Sequence, residues 1–462
     1  MNANASIIDN GKHYLARRVT LVTPGDEAEV RDALLQARAA NRPVIARGAG
    51  KSQGGLYQAD DAVILDMSRF NRILEIDAEN RRVRVQPGVI WDQLRGELEP
   101  HGMAVSSSQS YGVFSVGGSI SINAHGRNID VGVVAQSVLS ITVMLADGGV
   151  VVASRDANAE LFSLAVGGLG LFGVLLEATL VLVPNQIYRR HGLRVMPSAE
   201  YPLHVSRNVL SNPDIHFHFA RLDIADDGLW DRLYAIEYVQ DATLPPDAAP
   251  MLTAPPSSAW FERSVMWLFR RAAWARRLRL PGEVIYRKDM KPRRRSGTVR
   301  ESWSVVDHSR RRNADWLQEF FIPRDRFMDF VRMAKPILDS GVIRILNTTV
   351  RVIHENHDAF LTYARQDSFS FVIYFEQKLD AASIRRTEEA LKQLVDCAVA
   401  CGGAYYLCYQ RVASAAQLAQ AYPAIGAFFA AKRRYDPAGL FVNDFYKHYA
   451  PAFLPAPEAA PA

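Results

Sequence analysis

One stretch decides how we interpret the fold of this chain, and it reads Ser115-Val-Gly-Gly-Ser-Ile-Ser-Ile-Asn-Ala-His-Gly-Arg-Asn128. Two adjacent glycines lead through small and branched residues to a polar end. Glycine has no Cβ, so the backbone at Gly117 and Gly118 can approach a ligand closely or take a positive φ. The pattern indicates backbone lying flat against a planar group, with His125 and Arg127 beside it. Most isolated glycine-rich segments are turns, so the argument depends on two further segments.

Those two segments lie on either side of the first stretch. Upstream, Arg47-Gly-Ala-Gly-Lys-Ser-Gln-Gly-Gly55 follows a short apolar strand at 43–46 and exposes a row of backbone N–H groups, as pyrophosphate binding requires. Its spacing excludes a Walker A loop. It also fails as a Rossmann fingerprint, because it lacks an Asp or Glu at the end of a following second strand in a clear βαβ unit. Downstream, Val166-Gly-Gly-Leu-Gly-Leu-Phe-Gly-Val174 leads into an apolar strand at 174–183.

Composition limits the class of protein. The chain has 462 residues, 48% apolar and 22% charged, which predicts a globular protein of two or three domains. The sequence contains no run of 18 or more apolar residues, so we expect no membrane-spanning helix. The first ten residues lack the pattern of a secretory signal. Cys397, Cys401 and Cys408 have no metal-type partners nearby in sequence, so we expect buried thiols, a reducing compartment and no metal site.

Positive charge is concentrated in one segment. Residues 260–300 contain thirteen Lys or Arg and three acidic residues, a charge of +10, whereas the whole chain carries +5. The rest is therefore about −5, which argues against a general nucleic-acid-binding protein. Trp260, Trp267 and Trp274 recur every seven residues in a helix predicted over 257–280. This segment predicts either a peripheral membrane or lipid-phosphate contact, or a helix packed on its own domain with a mobile basic loop, Lys291 to Arg295, behind it. We favour packing, because tryptophans in helices usually belong to cores.

Periodicity predicts helices and strands in both halves of the chain. Helices are expected at 27–40, 90–99 and 384–399, the last capped by Ser383. A hairpin is expected at 138–153, around Asp147-Gly148-Gly149. Further strands are expected at 63–66, 73–77, 82–86, 191–196, 215–222, 233–238, 369–375 and 402–411.

The order of the three glycine segments resembles the FAD-binding domain of the vanillyl-alcohol-oxidase/p-cresol-methylhydroxylase (PCMH) family of flavoproteins. The resemblance covers residues 15–190 and the C-terminal end, and the middle only in patches. His125-Gly-Arg-Asn128 is similar to the His-Gly-Lys-Asn of decaprenylphosphoryl-ribose 2′-oxidases. The family resemblance implies an α+β fold with a two-subdomain FAD-binding domain at 1–190. A cap domain with an antiparallel sheet flanked by helices would follow at 191–424. Residues 425–462 would return to the FAD domain and end in a disordered tail.

The resemblance also implies how FAD is held. Members of the family often attach FAD covalently through a His before the Ser of the first loop, where this chain has Lys51. A second attachment residue, a Cys after the Gly-Gly pair, is missing near Ile122 and Asn123. We therefore predict non-covalent FAD, with Lys51 either pairing with the pyrophosphate or solvated at the loop rim. The cofactor-binding residues implied are Arg47, Gly48, Ala49, Gly50, Lys51, Ser52, Gln53, Gly54, Ser110, Tyr111, Gly117, Gly118, Ser121, Ile122, His125, Gly173, Val174, Tyr406 and Asn443.

The implied reaction leaves the base open. The catalytic candidates are Tyr409, Lys378, His125, Glu319 and Arg351, and the substrate-binding candidates are Arg127, Asn347, Gln377 and Arg411. Tyr409 could act as base only if a neighbouring cation lowers the pKa of its phenol, and Lys378 only if burial deprotonates it. His125 could orient the flavin or share the proton. Tyr409 and Arg127 both replace lysines of the decaprenylphosphoryl-ribose oxidases, which puts that particular substrate in doubt.

Three functions are carried forward. The first is an FAD-dependent oxidase or dehydrogenase that moves a hydride from a hydroxyl-bearing carbon of a sugar, polyol or related alcohol to flavin N5, with O2 or another acceptor. The second is a flavin-dependent reductase of a C=C bond, similar to sterol side-chain reductases, which would need NAD(P)H. The third is a membrane-associated partner protein that holds flavin structurally. We expect a cytoplasmic protein, either free or peripheral to the inner face of the membrane through 257–300.

Overall fold

A computed structural model describes residues 5–245, 248–252, 259–287, 291–301 and 312–455, with the backbone alone at 259–263 and 273. The strands are β1 Ala5–Ile8, β2 Leu15–Val22, β3 Val44–Arg47, β4 Val63–Asp66, β5 Ile73–Asp77, β6 Arg82–Val85, β7 Met103–Val105, β8 Val138–Met144, β9 Val150–Ser154, β10 Val174–Pro184, β11 Ile187–Pro197, β12 Ile215–Leu222, β13 Arg232–Gln240, β14 Arg293–Arg294, β15 Asn313–Pro323, β16 Arg344–Ile353, β17 Ser368–Lys378 and β18 Ala404–Tyr405. The helices are α1 Glu27–Ala39, α2 Trp91–Leu98, α3 Val116–Ser121, α4 Ala159–Ala165, α5 Tyr201–His204, α6 Ala259–Arg271, α7 Ala273–Arg277, α8 Arg279–Arg287, α9 Arg295–Thr298, α10 Phe327–Asp339, α11 Ala381–Ala400, α12 Ala415–Ala421, α13 Ile425–Tyr435 and α14 Asp444–Tyr449.

The N-terminal subdomain is built on a sheet in the order β1-β2-β4-β3, in which β2, β4 and β3 run parallel. The side chain of Asp26 caps α1, which buries Val30 and Leu34 in the core of this subdomain. The edge of β3 is continued by the end of the chain, because Val44 N donates to Leu440 O at 2.7 Å. A distant segment therefore completes this sheet.

The second subdomain is a sheet in the order β5-β6-β10-β8-β9, with β7 also paired to β10. Strands β8 and β9 form the predicted antiparallel hairpin. Helices α2 and α3 pack together, and Trp91 Nε1 donates to Ser119 Oγ at 2.8 Å in the core. The glycine stretch at 115–128 thus begins as a short buried helix.

The cap is an eight-stranded sheet in the order β14-β11-β13-β12-β16-β17-β15-β18. Alternate residues of β15 and β17 pack against α10 and α11, which contact each other on the same side. With the two N-terminal sheets, this confirms the α+β fold class. The cap sheet begins at Ile187, a few residues before the boundary expected at 191.

The basic segment differs from the packed helix with a mobile loop that we favoured from the sequence. The helix predicted over 257–280 is interrupted, because Ala272 is extended between α6 and α7. Trp267 and Trp274 are 43% and 58% exposed, so the expectation that they belong to a core is wrong; the side chain of Trp260 lies outside the described residues. The expected mobile loop is also wrong, since Arg293 and Arg294 pair with β11 and Arg295 is buried.

Several smaller expectations also change. The strand expected at 402–411 is only Ala404–Tyr405, and a turn follows it. The cap of α11 is Asp380, whose side chain accepts from the backbone N–H of Ser383. The three cysteines are buried and unbonded to one another, as expected. Within the described ranges, no helix is long and apolar enough to cross a membrane. Most of the tail expected to be disordered, 456–462, lies outside the described residues.

Candidate functional site

The three glycine segments meet in space. Ser115 Oγ accepts from Gly118 N at 3.4 Å, which caps α3, and from Ala49 N of the first segment at 3.3 Å. The third segment joins the other end of α3, because Gly167 N donates to Ile120 O and Leu169 N to Ser121 O, both at 2.8 Å. Helix α3 therefore holds all three segments in one wall.

Glycine is required at particular points of this wall. A Cβ on Gly48 would lie 2.1 Å from Ser115 Oγ, and one on Gly117 would lie 2.5 Å from the Pro87 side chain. Gly173 has φ of 140°, which strains any other residue. The segments thus approach each other so closely that mainly backbone groups face outward.

A cavity of about 1420 Å³ lies between this wall and the cap sheet. It is larger than the roughly 300–1,000 Å³ of sites for single drug-sized molecules, and so has room for a dinucleotide and a second ligand. The sequence-predicted residues that line it are Arg47, Gly48, Ala49, Gly50, Lys51, Ser52, Gln53, Ser110, Tyr111, Gly117, Gly118, Ser121, Ile122, His125, Arg127, Gly173, Glu319, Asn347, Arg351, Tyr406 and Tyr409.

The lining residues fit a phosphate-bearing cofactor. The hydroxyls of Ser52 and Ser110 are buried and have no partner among the described residues, although a buried hydroxyl normally forms a hydrogen bond. Both lie on the cavity wall near backbone N–H groups of the glycine segments. A bound pyrophosphate or ring carbonyl would supply the acceptors that these hydroxyls lack.

Three predicted cofactor residues lie just behind the wall instead. A Cβ on Gly54 would lie 2.4 Å from Tyr409 O, so this glycine packs against the cap turn. Val174 is fully buried in the core of the N-terminal subdomain. Asn443 Nδ2 donates to Leu169 O at 3.0 Å, which fixes the third glycine segment.

Three residues predicted to act on the substrate are away from the cavity. Lys378 is exposed at the end of β17, so the condition that burial deprotonates it is not met. Gln377 is buried and accepts a hydrogen bond from Gln410 Nε2 at 2.9 Å. The guanidinium of Arg411 stacks 4.3 Å from the ring centroid of Tyr14.

His125 and Glu319 form a buried pair between the two domains. Glu319 Oε1 of β15 lies 2.7 Å from His125 Nε2, and both side chains are 3% exposed. Burial raises the pKa of Glu319, but His125 and Arg351 outweigh it and leave that pKa below its ordinary value. The contact is an ion pair when His125 is protonated. The other ring nitrogen, Nδ1, is buried and has no hydrogen-bond partner among the described residues, so it can accept a proton in the tautomer that carries its hydrogen on Nε2.

The tyrosines of this site are weak candidates for the base. Burial raises the pKa of Tyr409 well above its ordinary value, and the opposing charge of Arg351 is too small to reverse this. The condition under which Tyr409 could act as base, a pKa lowered by a neighbouring cation, is therefore not met. Burial raises the pKa of Tyr406 in the same way, and its hydroxyl donates to Ile122 O at 2.8 Å. Both phenols are hydrogen-bond donors at neutral pH.

Sequence reasoning missed part of the cavity wall. The residues it did not single out for the site include Gln109, Arg221, Arg279, Glu283, Arg287, Glu301, Leu317, Val372, Tyr374 and Cys408. Arg279 and Arg287 belong to the basic segment, whose interrupted helices α6–α8 fold over the cavity. The excess of positive charge at 260–300 was the signal that could have located Arg279 and Arg287, because a segment with so many positive charges is expected to face an anionic group.

Comparison with known proteins agrees with this geometry. A family model described as an FAD-binding domain matches residues 20–154. L-gulonolactone oxidase of Mus musculus is 35% identical over 162 residues, which is 35% of this chain and 37% of the relative. Decaprenylphosphoryl-beta-D-ribose oxidase of Mycolicibacterium smegmatis is 36% identical over 168 residues, or 36% of each chain. Glycolate oxidase subunit GlcD of Escherichia coli is 31% identical over 194 residues, 40% of this chain and 39% of the relative. The matches thus span less than half the length of these relatives.

Proposed function

We propose that this chain, whose residues 20–154 match an FAD-binding domain and which resembles the vanillyl-alcohol-oxidase/PCMH-type flavoproteins, oxidises a hydroxyl group of a sugar, sugar lactone, polyol or related alcohol. The observation that carries the proposal is the buried His125–Glu319 pair, which lines the same cavity as the three glycine segments suited to FAD. The named relatives include oxidases of lactones and of a sugar derivative, which supports this substrate class.

Each part of the cavity has a role in the proposal. Bound FAD supplies the hydride acceptor for a carbon that bears a hydroxyl. The first glycine segment, with Lys51 and Ser52, holds the pyrophosphate. Because position 51 is a lysine and not a histidine, the cofactor is not attached covalently there. His125 Nδ1 accepts the hydroxyl proton, and the Glu319 carboxylate stabilises the imidazolium that forms. Tyr409 donates a hydrogen bond to the substrate oxygen. The alcohol thus loses a hydride and a proton and becomes a carbonyl.

Two other functions have less support. A C=C reductase would need NAD(P)H, whereas the relatives compared above are named as oxidases. A protein that holds flavin only structurally would have no need of an acceptor nitrogen buried at the cavity wall, as in His125.

An anaerobic reduction screen tests the proposal. The purified yellow protein is mixed without oxygen with polyols, sugars, sugar lactones and NADPH, and its absorbance near 450 nm, in the usual flavin region, is followed over time. Bleaching by one class of alcohol supports the proposed function. Bleaching by NADPH alone would favour the reductase, and no bleaching would favour a structural flavin.

We further propose a peripheral contact with an anionic membrane surface, on the cytoplasmic side. Ile285 and Tyr286 of α8 are 73% and 72% exposed, and Trp274 of α7 is exposed near them. The exposed guanidinium groups of Arg271 and Arg277 accompany these apolar side chains. Aromatic and basic side chains together are typical of surfaces that bind the interface of anionic bilayers.

Vesicle co-sedimentation tests this contact. The protein should sediment with vesicles that contain phosphatidylglycerol and stay in solution with phosphatidylcholine alone. The double variant Trp274→Ser/Ile285→Ser should lose binding, whereas Leu203→Ser, which removes an equally exposed apolar side chain elsewhere, should keep it. Equal sedimentation of both variants would refute the proposed surface.

A further inference from the structure

Several guanidinium groups crowd around one side chain of the cap. The Cζ atoms of Arg127, Arg221 and Arg287 lie 4.1, 5.8 and 5.9 Å from the ring centroid of Phe219. Phe219 is buried on β12, and all three arginines line the cavity. Arg279 and Arg351 line the same cavity, so five guanidinium groups share this region, which we call the arginine cluster.

Carboxylates balance only part of the arginine cluster. Glu283 Oε2 lies 2.9 Å from Arg221, and its Oε1 lies 2.9 Å from Arg279. Glu301 is shared between Arg127 and Arg221. Glu319 is a third carboxylate, beside Arg351, so three carboxylates face the five guanidinium groups of the cluster, an excess of two positive charges.

Arg127 experiences this excess most strongly. Its residue is 6% exposed, and burial followed by the charges of Arg221, Arg351 and Arg287 holds its pKa well below the ordinary value. The Nε–H groups of Arg127, Arg221 and Arg351 are buried and have no partner among the described residues. Buried donors of this kind are costly unless an acceptor arrives.

We propose that the arginine cluster binds an anionic group of the substrate, a phosphate ester or a carboxylate, next to the hydroxyl that is oxidised. The inference rests on the proposed function and narrows its substrate class. Arg127 lies two residues beyond His125, and Arg351 Nη1 lies 3.4 Å from His125 O, so the anion would sit beside the proton acceptor. An anion pairs with several guanidinium forks at once, which a neutral polyol or lactone cannot do.

The binding test uses the FAD-loaded protein and inorganic phosphate. Isothermal titration calorimetry should detect phosphate binding, which weakens as ionic strength rises. The variant Arg127→Gln should raise the Kd roughly 10- to 100-fold, the loss expected for one charge-assisted hydrogen bond. Arg127→Lys should restore part of the affinity. The matched control is Arg277→Gln, which neutralises an exposed arginine paired with Asp227 outside the cavity and should change nothing.

The substrate test compares matched pairs, namely a polyol with its phosphate monoester and a sugar with its aldonic acid, by anaerobic flavin reduction. The anionic member of one pair should reduce the flavin with a KM roughly 10- to 100-fold lower than its neutral partner, and Arg127→Gln should bring the KM of the anionic member up toward that of the neutral one. If the phosphate monoester has the lower KM, the anionic group of the substrate is a phosphate; if the aldonic acid has the lower KM, it is a carboxylate.

The two proposals fail in different ways. If no alcohol reduces the flavin but phosphate binds through Arg127, the proposed oxidation is wrong and the anion site stands. If neutral and anionic alcohols reduce the flavin equally and phosphate does not bind, the anion site is refuted and the oxidation stands. Phosphate binding that Arg127→Gln leaves unchanged would also refute the arginine cluster as its site.

Discussion

The substitution His125→Gln tests the assignment of the proton acceptor. A glutamine amide can still reach toward the Glu319 carboxylate from the position of Nε2, but it has no counterpart of the unpartnered Nδ1. The cavity keeps its shape while the proposed base is lost. We therefore expect flavin reduction by the best alcohol to slow, with the fold and the bound cofactor preserved.

The size of this effect separates the three candidates for the base. General base catalysis contributes roughly 10²- to 10⁴-fold, or about 3–5 kcal/mol of transition-state stabilisation, and His125→Gln should lose this amount. Tyr409→Phe should cost less, up to about tenfold, because a neutral hydrogen-bond donor contributes about 0.5–1.5 kcal/mol. Lys378→Met should have no effect, since Lys378 is exposed and distant from the cavity wall.

Anaerobic stopped-flow absorbance measures the reduction rate, and each rate is normalised to the FAD content of the variant. The pH profile adds a second criterion, since the limb that reports titration of the base should disappear in His125→Gln. The reasoning is refuted if the rate of flavin reduction in His125→Gln is within tenfold of the rate in the unmodified protein. A hundredfold loss in Lys378→Met would equally refute it.

Three further predictions follow from other parts of the structure. Gly48→Ala should lower the FAD content of the purified protein, because its Cβ would lie 2.1 Å from Ser115 Oγ, whereas Gly96→Ala, with nothing within 4 Å, should keep full FAD. Acid precipitation should release all flavin into the supernatant if Lys51 leaves the cofactor untethered, and coloured precipitate would contradict this. Burial raises the pKa of Asp9 from 3.8 to about 7, so the folded state holds a proton that the unfolded chain has lost, and stability should fall as pH rises from about 4 to 7. Asp9→Asn should remove that fall, so the free energy of unfolding of the variant relative to the unmodified protein should be up to about 4 kcal/mol more favourable to folding at pH 8 than at pH 4. Thermal unfolding of both proteins at the two pH values decides it.

The glycine segments were predictable from their composition and order in the chain. The contacts that require glycine there are long-range, since a Cβ on Gly48 would meet the Ser115 side chain and one on Gly117 the Pro87 side chain. The short apolar strands and the β8–β9 hairpin were predictable from local signals, since period and turn chemistry act over a few residues.

The cap side of the site could not be located in the same way. Alternation in β17 correctly places Val372, Tyr374 and Lys378 on one face, but the strand runs past the end of the cavity, so Lys378 reaches solvent. A strand pattern identifies a face and not a distance along it. The prediction of one helix over 257–280 was wrong for a related reason. A seven-residue repeat of tryptophans implies one continuous helix, but the extended residue Ala272 separates Trp267 from Trp274.

The pairing of Val44 with Leu440 has a consequence for biosynthesis. A nascent chain emerges from the ribosome N-terminus first, and domains generally fold in that order. The edge of β3 stays open until residues near Leu440 have been translated, so the sheet of the first subdomain is finished only after the whole cap has been synthesised. The cap, which is contiguous in the chain, can mature earlier. Capture of the cofactor would then be among the last events of assembly.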